Sequence, residues 1–145
     1  MRHAFFALAA LPLLGAGDAA LIQPGKWENR AEILTVDMPG APPRLLAAMK
    51  GRPQVITSCV TPAQAALGPR DLLNRDRACR FTRYDARGGR IATEMVCTRP
   101  TGTMRATSSG RYTLTSYEVS GSMVMTGRAR MTMTTRTTGR RLGPC

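Results

Sequence analysis

Residues 79–97, CRFTRYDARGGRIATEMVC, decide the fold. Gly88 and Gly89 form a turn signal midway between two cysteines. The residues on either side alternate apolar and polar with the period of a β-strand. A hairpin centred on Gly88 pairs Cys79 with Cys97, Phe81 with Met95, and Asp85 with Ile91. One face of this hairpin is mostly apolar, and its two sulfurs are directly opposed.

The pattern continues towards the C-terminus. A hairpin centred between Thr115 and Ser116 pairs Leu114 with Tyr117, Tyr112 with Val119, and Gly110 with Gly121. The paired glycines suit a point of sharp bending. The next hairpin turns near Arg128 and pairs Met125 with Met131 and Met123 with Met133, while Thr132, Thr134 and Arg136 take the alternate positions. That alternation is what a sheet with one buried face requires. Towards the N-terminus, Gly25–Asp37 reads as a first strand and Gln54–Cys59 as a second. Between them, the prolines at 39, 42 and 43 interrupt strand pairing, and Arg44–Met49 has room for one helical turn. Thr61-Pro62-Ala63-Gln64 is a helix start, with a capping hydroxyl, a proline at the first helical position and a glutamine three residues on. Pro69–Asn74 reads as another short turn. The predicted class is mostly β: an antiparallel meander of about seven strands forming a curved sheet, an open barrel or a sandwich, with one short helix.

The chain opens with Met1-Arg2-His3, then an apolar run from Ala4 to Leu14, then small residues up to Ala20. This is the layout of a secretory leader, with cleavage expected after Ala19 or Ala20. The run is too short to cross about 30 Å of hydrocarbon, so no transmembrane anchor is expected. The division is thus a signal peptide over residues 1–20 and a single, exported, disulfide-stapled domain over 21–145. In an oxidising compartment four cysteines read as two bridges. They allow three connectivities. The hairpin about Gly88 selects Cys79–Cys97, which leaves Cys59 for Cys145.

Loss of the leader removes Arg2, Asp18 and the single histidine, His3, so 20 basic and 8 acidic residues remain and the net charge stays +12. Without histidine there is no Ser-His-Asp or Cys-His catalysis and no histidine-containing metal site. Nineteen of the 21 basic residues are arginine, scattered with no run longer than Arg140-Arg141. A nucleic-acid surface concentrates its charge and interleaves aromatic residues, so nucleic acid is not an expected partner.

Several stretches together resemble a known family. They are Pro24-Gly25-Lys26-Trp27-Glu28, Met38-Pro39-Gly40, Cys59-Val60-Thr61-Pro62, Cys79, Met95-Val96-Cys97, the Met-Thr repeats and the ending Arg140-Arg141-Leu142-Gly143-Pro144-Cys145. The chain resembles the domain-of-unknown-function 3617 family of small exported proteins from Gram-negative bacteria, which implies the periplasm as its location. The resemblance spans the mature chain and supports export and two disulfides, but it brings no activity and no catalytic residues.

Glu28, Glu32 and Glu94 could lie within the sheet, but nothing in the sequence pairs them for acid–base work, and each is expected to meet an arginine. Asp71 and Asp76 lie in an arginine-rich segment and read as solvated ion pairs. No glycine-rich loop precedes a helix, so nucleotide use is unsupported; no cofactor is expected. Met123, Met125, Met131 and Met133 share one hairpin face. Thioethers suit Cu(I), and Trp27 would add a cation–π wall, but methionine more simply fills an irregular apolar interior. The expected function is therefore non-catalytic: an exported β domain that binds an apolar or amphipathic ligand, lined by Trp27, Tyr112, Met123 and Met125. The alternatives are an interaction or assembly module for an envelope protein and, behind it, a methionine-based copper protein.

Overall fold

The computed structural model describes residues 20–145. Residues 1–19, nearly all of the expected leader, lie outside the described residues. Seven strands are present: β1 (Gly25–Asp37), β2 (Gln54–Val60), β3 (Cys79–Arg87), β4 (Arg90–Arg99), β5 (Gly102–Tyr112), β6 (Ser116–Gly127) and β7 (Met131–Gly143). They form a single antiparallel sheet in the order β2-β1-β7-β6-β5-β4-β3. Strands β3 to β7 form a meander of five strands, where the expectation has about seven in simple succession. Strand β1 adds to the far side of β7, with β2 folded back on it as one edge. With β2 and β3 both unpaired on their outer sides, the sheet is open rather than a closed barrel.

Three short helices accompany the sheet, not one: α1 (Pro43–Lys50), α2 (Pro62–Ala66) and α3 (Arg70–Leu73). Helices α1 and α3 occupy the two segments in which the sequence allows single turns. The start of α2 is capped as its sequence dictates. The Thr61 hydroxyl accepts from the Gln64 N–H at 3.3 Å, and the Gln64 side-chain oxygen accepts from the Thr61 N–H at 2.9 Å.

Two registers differ from expectation. In the β3–β4 hairpin Cys79 faces Cys97 and Phe81 faces Met95, as the sequence predicts, but Asp85 faces Ala92 instead of Ile91. The turn holds two residues, Gly88 and Gly89, with φ of 58° and 74°. A tight hairpin turn of that hand needs φ above zero at both central positions, which glycine supplies without strain. The one-residue change is absorbed by a bulge between Phe81 and Arg83. In the β5–β6 hairpin Tyr112 faces Tyr117, Gly110 faces Val119 and Ser108 faces Gly121, so the two glycines are not opposed. The Thr113 hydroxyl causes this by accepting from the N–H groups of Thr115 at 3.2 Å and Ser116 at 3.0 Å. It builds a loop from Thr113 to Ser116 where the prediction has a tight turn. The resulting slip is an even number of residues, so every side chain keeps its predicted face. Strands β6 and β7 pair Met123 with Met133 and Met125 with Met131, as expected.

Cys59 stands at disulfide distance from Cys145, and Cys79 from Cys97. The first pair ties the end of the chain to edge strand β2. The second ties edge strand β3 to β4.

A flat sheet of seven strands would hold its edges roughly 29 Å apart, at about 4.8 Å per strand. Here Val60 of β2 and Tyr84 and Ala86 of β3 contribute to one hydrophobic cluster. The sheet therefore curls around the segment that joins those two edges. Ala65 of α2 is fully buried, and the Tyr84 hydroxyl donates to the Leu67 carbonyl at 2.8 Å. The Arg70 guanidinium lies over the rings of Phe81 and Tyr84, at 5.8 and 5.6 Å from their centroids. The segment from α2 to α3 thus spans the open side of the sheet and seals one end of its inner face.

Candidate functional site

Alternation along each strand sorts side chains between an inner and an outer face, and the cover of the α2–α3 segment divides the inner face into two halves. The sealed half holds Ile22, Trp27, Val60, Ile91, Tyr112, Tyr117 and Val119, all buried. Trp27 is fully buried, and its indole N–H donates to the Gln23 carbonyl at 2.9 Å. Its ring lies 6.2 Å from that of Tyr117, whose hydroxyl donates to Asn29 Oδ1 at 2.5 Å. Gly139 of β7 lies beneath the Tyr117 ring, where any side chain would run into it. Burial pushes the Tyr117 phenol above the ordinary tyrosine range, with Arg75 opposing the shift, so the group stays protonated and can donate this hydrogen bond at neutral pH.

The other half is the candidate site. Continuing along the same face, β3 contributes Phe81, β4 Met95, β5 Met104 and Ala106, β6 Met123 and Met125, and β7 Met131 and Met133. All eight are half-buried, because the α2–α3 segment reaches only part of them, with Arg70 over Phe81 and Leu73 beside Met95 and Met123. Beside α3 the face retains two small cavities. One, of about 100 Å³, is lined by the apolar Leu73, Phe81, Met95, Ala106, Val119 and Met123 and, among others, by the polar Thr93, Ser108, Thr135 and Thr137. The other, of about 150 Å³, is lined by Asn29, Ala31, Ile56, Leu72, Leu73 and Arg75. Leu73 and Thr137 line both, so they form the partition between them. Each cavity is below the ~300–1,000 Å³ of an ordinary ligand pocket. A guest larger than a short alkyl segment has to displace Leu73 or lie along the open methionine stretch.

Of the four candidate lining residues, Trp27 and Tyr112 fall in the sealed half, where the α2–α3 segment and residues 20–24 keep them from any guest. Met123 and Met125 fall in the half that stays open. Sequence reading missed Leu73, Phe81, Met95, Met104 and Ala106 as lining residues. Phe81 and Met95 carried a signal, being the apolar pair of the hairpin that decides the fold. Leu73 carried none, since a four-residue helix has no periodicity to read. The four methionines weighed as copper ligands do occupy adjacent cross-strand positions on this face. If they serve as apolar filling, Met125→Leu costs under about 1.5 kcal/mol in chemical denaturation, because volume and apolarity are conserved. Loss of tight Cu(I) binding under anaerobic conditions in this variant would instead favour the copper reading.

The carboxylates stand elsewhere; Glu28, Glu32, Glu94 and Asp76 meet arginine as expected, whereas Asp71 meets none among the described residues. Glu28 bonds Arg140 at 2.8 Å, Glu32 bonds Arg30 at 2.8 Å, and Glu94 lies 3.7 Å from Arg83. Asp76 pairs with Arg99. The hydrogen bond from Arg140 lowers the pKa of Glu28, which makes it a weaker base. Among the described residues no cluster of three His, Cys, Asp or Glu side chains could hold a metal ion. No described helix is long and apolar enough to cross a membrane.

Neither a curated protein nor a solved structure matches the chain. A family model does, over residues 22–145, and its description is "Protein of unknown function (DUF3617)". With nearly the whole described domain covered, including both cysteine pairs, the chain belongs to the DUF3617 family.

Proposed function

We propose that this is an exported, non-catalytic domain of the periplasm that holds the apolar part of an amphipathic guest on the methionine half of its inner face. The observation that carries the reading is the incomplete cover. The inner face is apolar at both ends, with Thr93, Ser108, Gly121 and Thr135 crossing it between them, yet the α2–α3 segment seals only the Trp27 end. Flexible thioether side chains adapt to guests of varied shape at small cost. Export is supported by the leader-like residues 1–20, by the family match beginning at residue 22, and by four cysteines placed as two pairs.

The test begins with native mass spectrometry of protein purified from its own periplasm. The expected chain starts at Ala20 or Leu21 and carries a small apolar adduct; a chain retaining Met1 would sink the export reading. Binding is then followed with a fluorescent fatty-acid analogue. Ala106→Trp fills the cavity between Met95 and Met123 and is expected to weaken binding at least tenfold, with the thermal midpoint little changed. Equal binding by the variant and the parent protein would reject the inner face as the site.

A second reading rests on edge strand β2. Its sequence, QVITSCV, is uncharged, with Val55 53% and Ile56 46% exposed. The opposite edge, β3, carries Arg80, Arg83 and Arg87 and a bulge. Charges and bulges keep an edge from pairing with other chains, and β2 lacks both. If the protein works as an interaction module, periplasmic crosslinking should concentrate on residues 54–60.

A further inference from the structure

We propose that the outer face of the sheet carries an anion site, built by Arg90 and Arg111, that receives a phosphoryl group. The site lies on the opposite side of the sheet from the methionines and does not depend on the reading given for them. Arg90 of β4 and Arg111 of β5 are direct cross-strand partners. Both are exposed. Their inward neighbours Ile91 and Tyr112 are buried, so both guanidinium groups lie on the outer face. Like charges directly opposite one another destabilise a sheet. An anion bound between them removes that penalty.

The surroundings leave this pair uncompensated. A shallow depression open to solvent is lined there by Asp85, Arg87, Arg90, Ala92, Ser109 and Arg111, among others. Asp85, the carboxylate on its wall, is held by Arg87 at 2.6 Å. Glu118, the partner of Arg111 on its other side, is held by Arg136 at 2.7 Å. Neither Arg90 nor Arg111 has an ion-pair partner among the described residues. Three arginines and one aspartate leave a local charge of +2. That is the complement of a phosphate monoester dianion, and the guanidinium fork fits its oxygens two at a time. Ser109, in the same wall, offers a hydroxyl donor. Arg105 provides the contrast. It has no ion-pair partner either, but its neighbours across β4 and β6 are Val96 and Val124, so no second arginine opposes it.

The shared chemistry is the phosphoryl group, which either a free monoester or a lipid headgroup can present. Isotope-labelled protein is titrated with glycerol 3-phosphate at low ionic strength and followed by NMR. In parallel it is sedimented with phosphatidylcholine vesicles with and without phosphatidic acid. Saturable shifts of the Arg90, Ser109 and Arg111 amides are expected with glycerol 3-phosphate. The Arg90→Gln, Arg111→Gln double variant should weaken binding at least tenfold, and Arg105→Gln less than twofold. Saturable binding to the phosphatidic acid vesicles alone, with the same loss in the double variant, also upholds the site and assigns it to a headgroup. Both substitutions are on the surface, and a thermal melt checks that the variant is folded. The proposal is overturned if neither probe saturates, or if Arg105→Gln weakens binding as much as the double variant does.

Discussion

Replacing Trp27 with alanine is expected to lower stability by about 3–5 kcal/mol, measured by urea denaturation with the disulfides intact. The indole is fully buried, and it lies where three parts of the chain meet. It belongs to β1, it bonds the carbonyl of Gln23, and its ring faces that of Tyr117 on β6, which in turn covers Gly139 on β7 and bonds Asn29 back on β1. Removing the ring leaves a cavity that the α2–α3 segment cannot collapse to fill, because its Pro69 and Ala65 are already buried. Natural domains are stable by about 5–15 kcal/mol, so this single change removes a large share of the total. Trp27→Phe is the control. It keeps most of the apolar volume but leaves the Gln23 carbonyl without its donor, at a cost of about 1–3 kcal/mol. A loss below about 1 kcal/mol for alanine would mean that the sealed half is not the core.

How much of this was legible in the sequence depends on how local the signal was. The β3–β4 hairpin could be read because its turn, its alternation and its two cysteines lie within nineteen consecutive residues, 79–97. The same holds for the Met123–Met133 pairing. Alternation alone cannot fix where a turn is centred, so the Thr113 hydroxyl moved the β5–β6 register without leaving a trace in the hydrophobic pattern. The faces survived because the slip was even. What the sequence could not show is which half of the inner face would be covered. That depends on where the α2–α3 segment lands across the sheet. Its landing is set by long-range contacts such as Tyr84 to Leu67 and Arg70 over Phe81, not by any repeat within the segment. Hence Trp27 and Met123 looked equivalent as lining residues, although one is sealed and the other half-open. The arginine pair was hidden for a related reason. Arg90 and Arg111 are far apart in sequence, and only the β4–β5 register brings them together.

The two disulfides should contribute unequally, and Cys145→Ser is the larger of the two effects. Cys59 and Cys145 are 86 positions apart, whereas Cys79 and Cys97 are separated by 18. In the chain-entropy account the long loop is worth about 4.5 kcal/mol and the short one about 3 kcal/mol. Their positions in the fold widen the difference. The Cys79–Cys97 pair lies inside a hairpin that its own hydrogen bonds and tight turn already hold together. The Cys59–Cys145 pair joins β2, which has a neighbour only in β1, to the chain end beyond β7. Without it, β2 keeps only its pairing to β1 and the burial of Val60 against the cluster. Cys145→Ser should therefore lower the unfolding free energy by about 2–5 kcal/mol in urea, while the Cys79–Cys97 link survives in non-reducing peptide maps. Hydrogen exchange should quicken first at residues 54–60, because the freed edge opens ahead of the rest of the sheet. If Cys79→Ser proves the more damaging variant, the closing of the curled sheet depends on its β3 edge and not on the tie between β2 and the chain end.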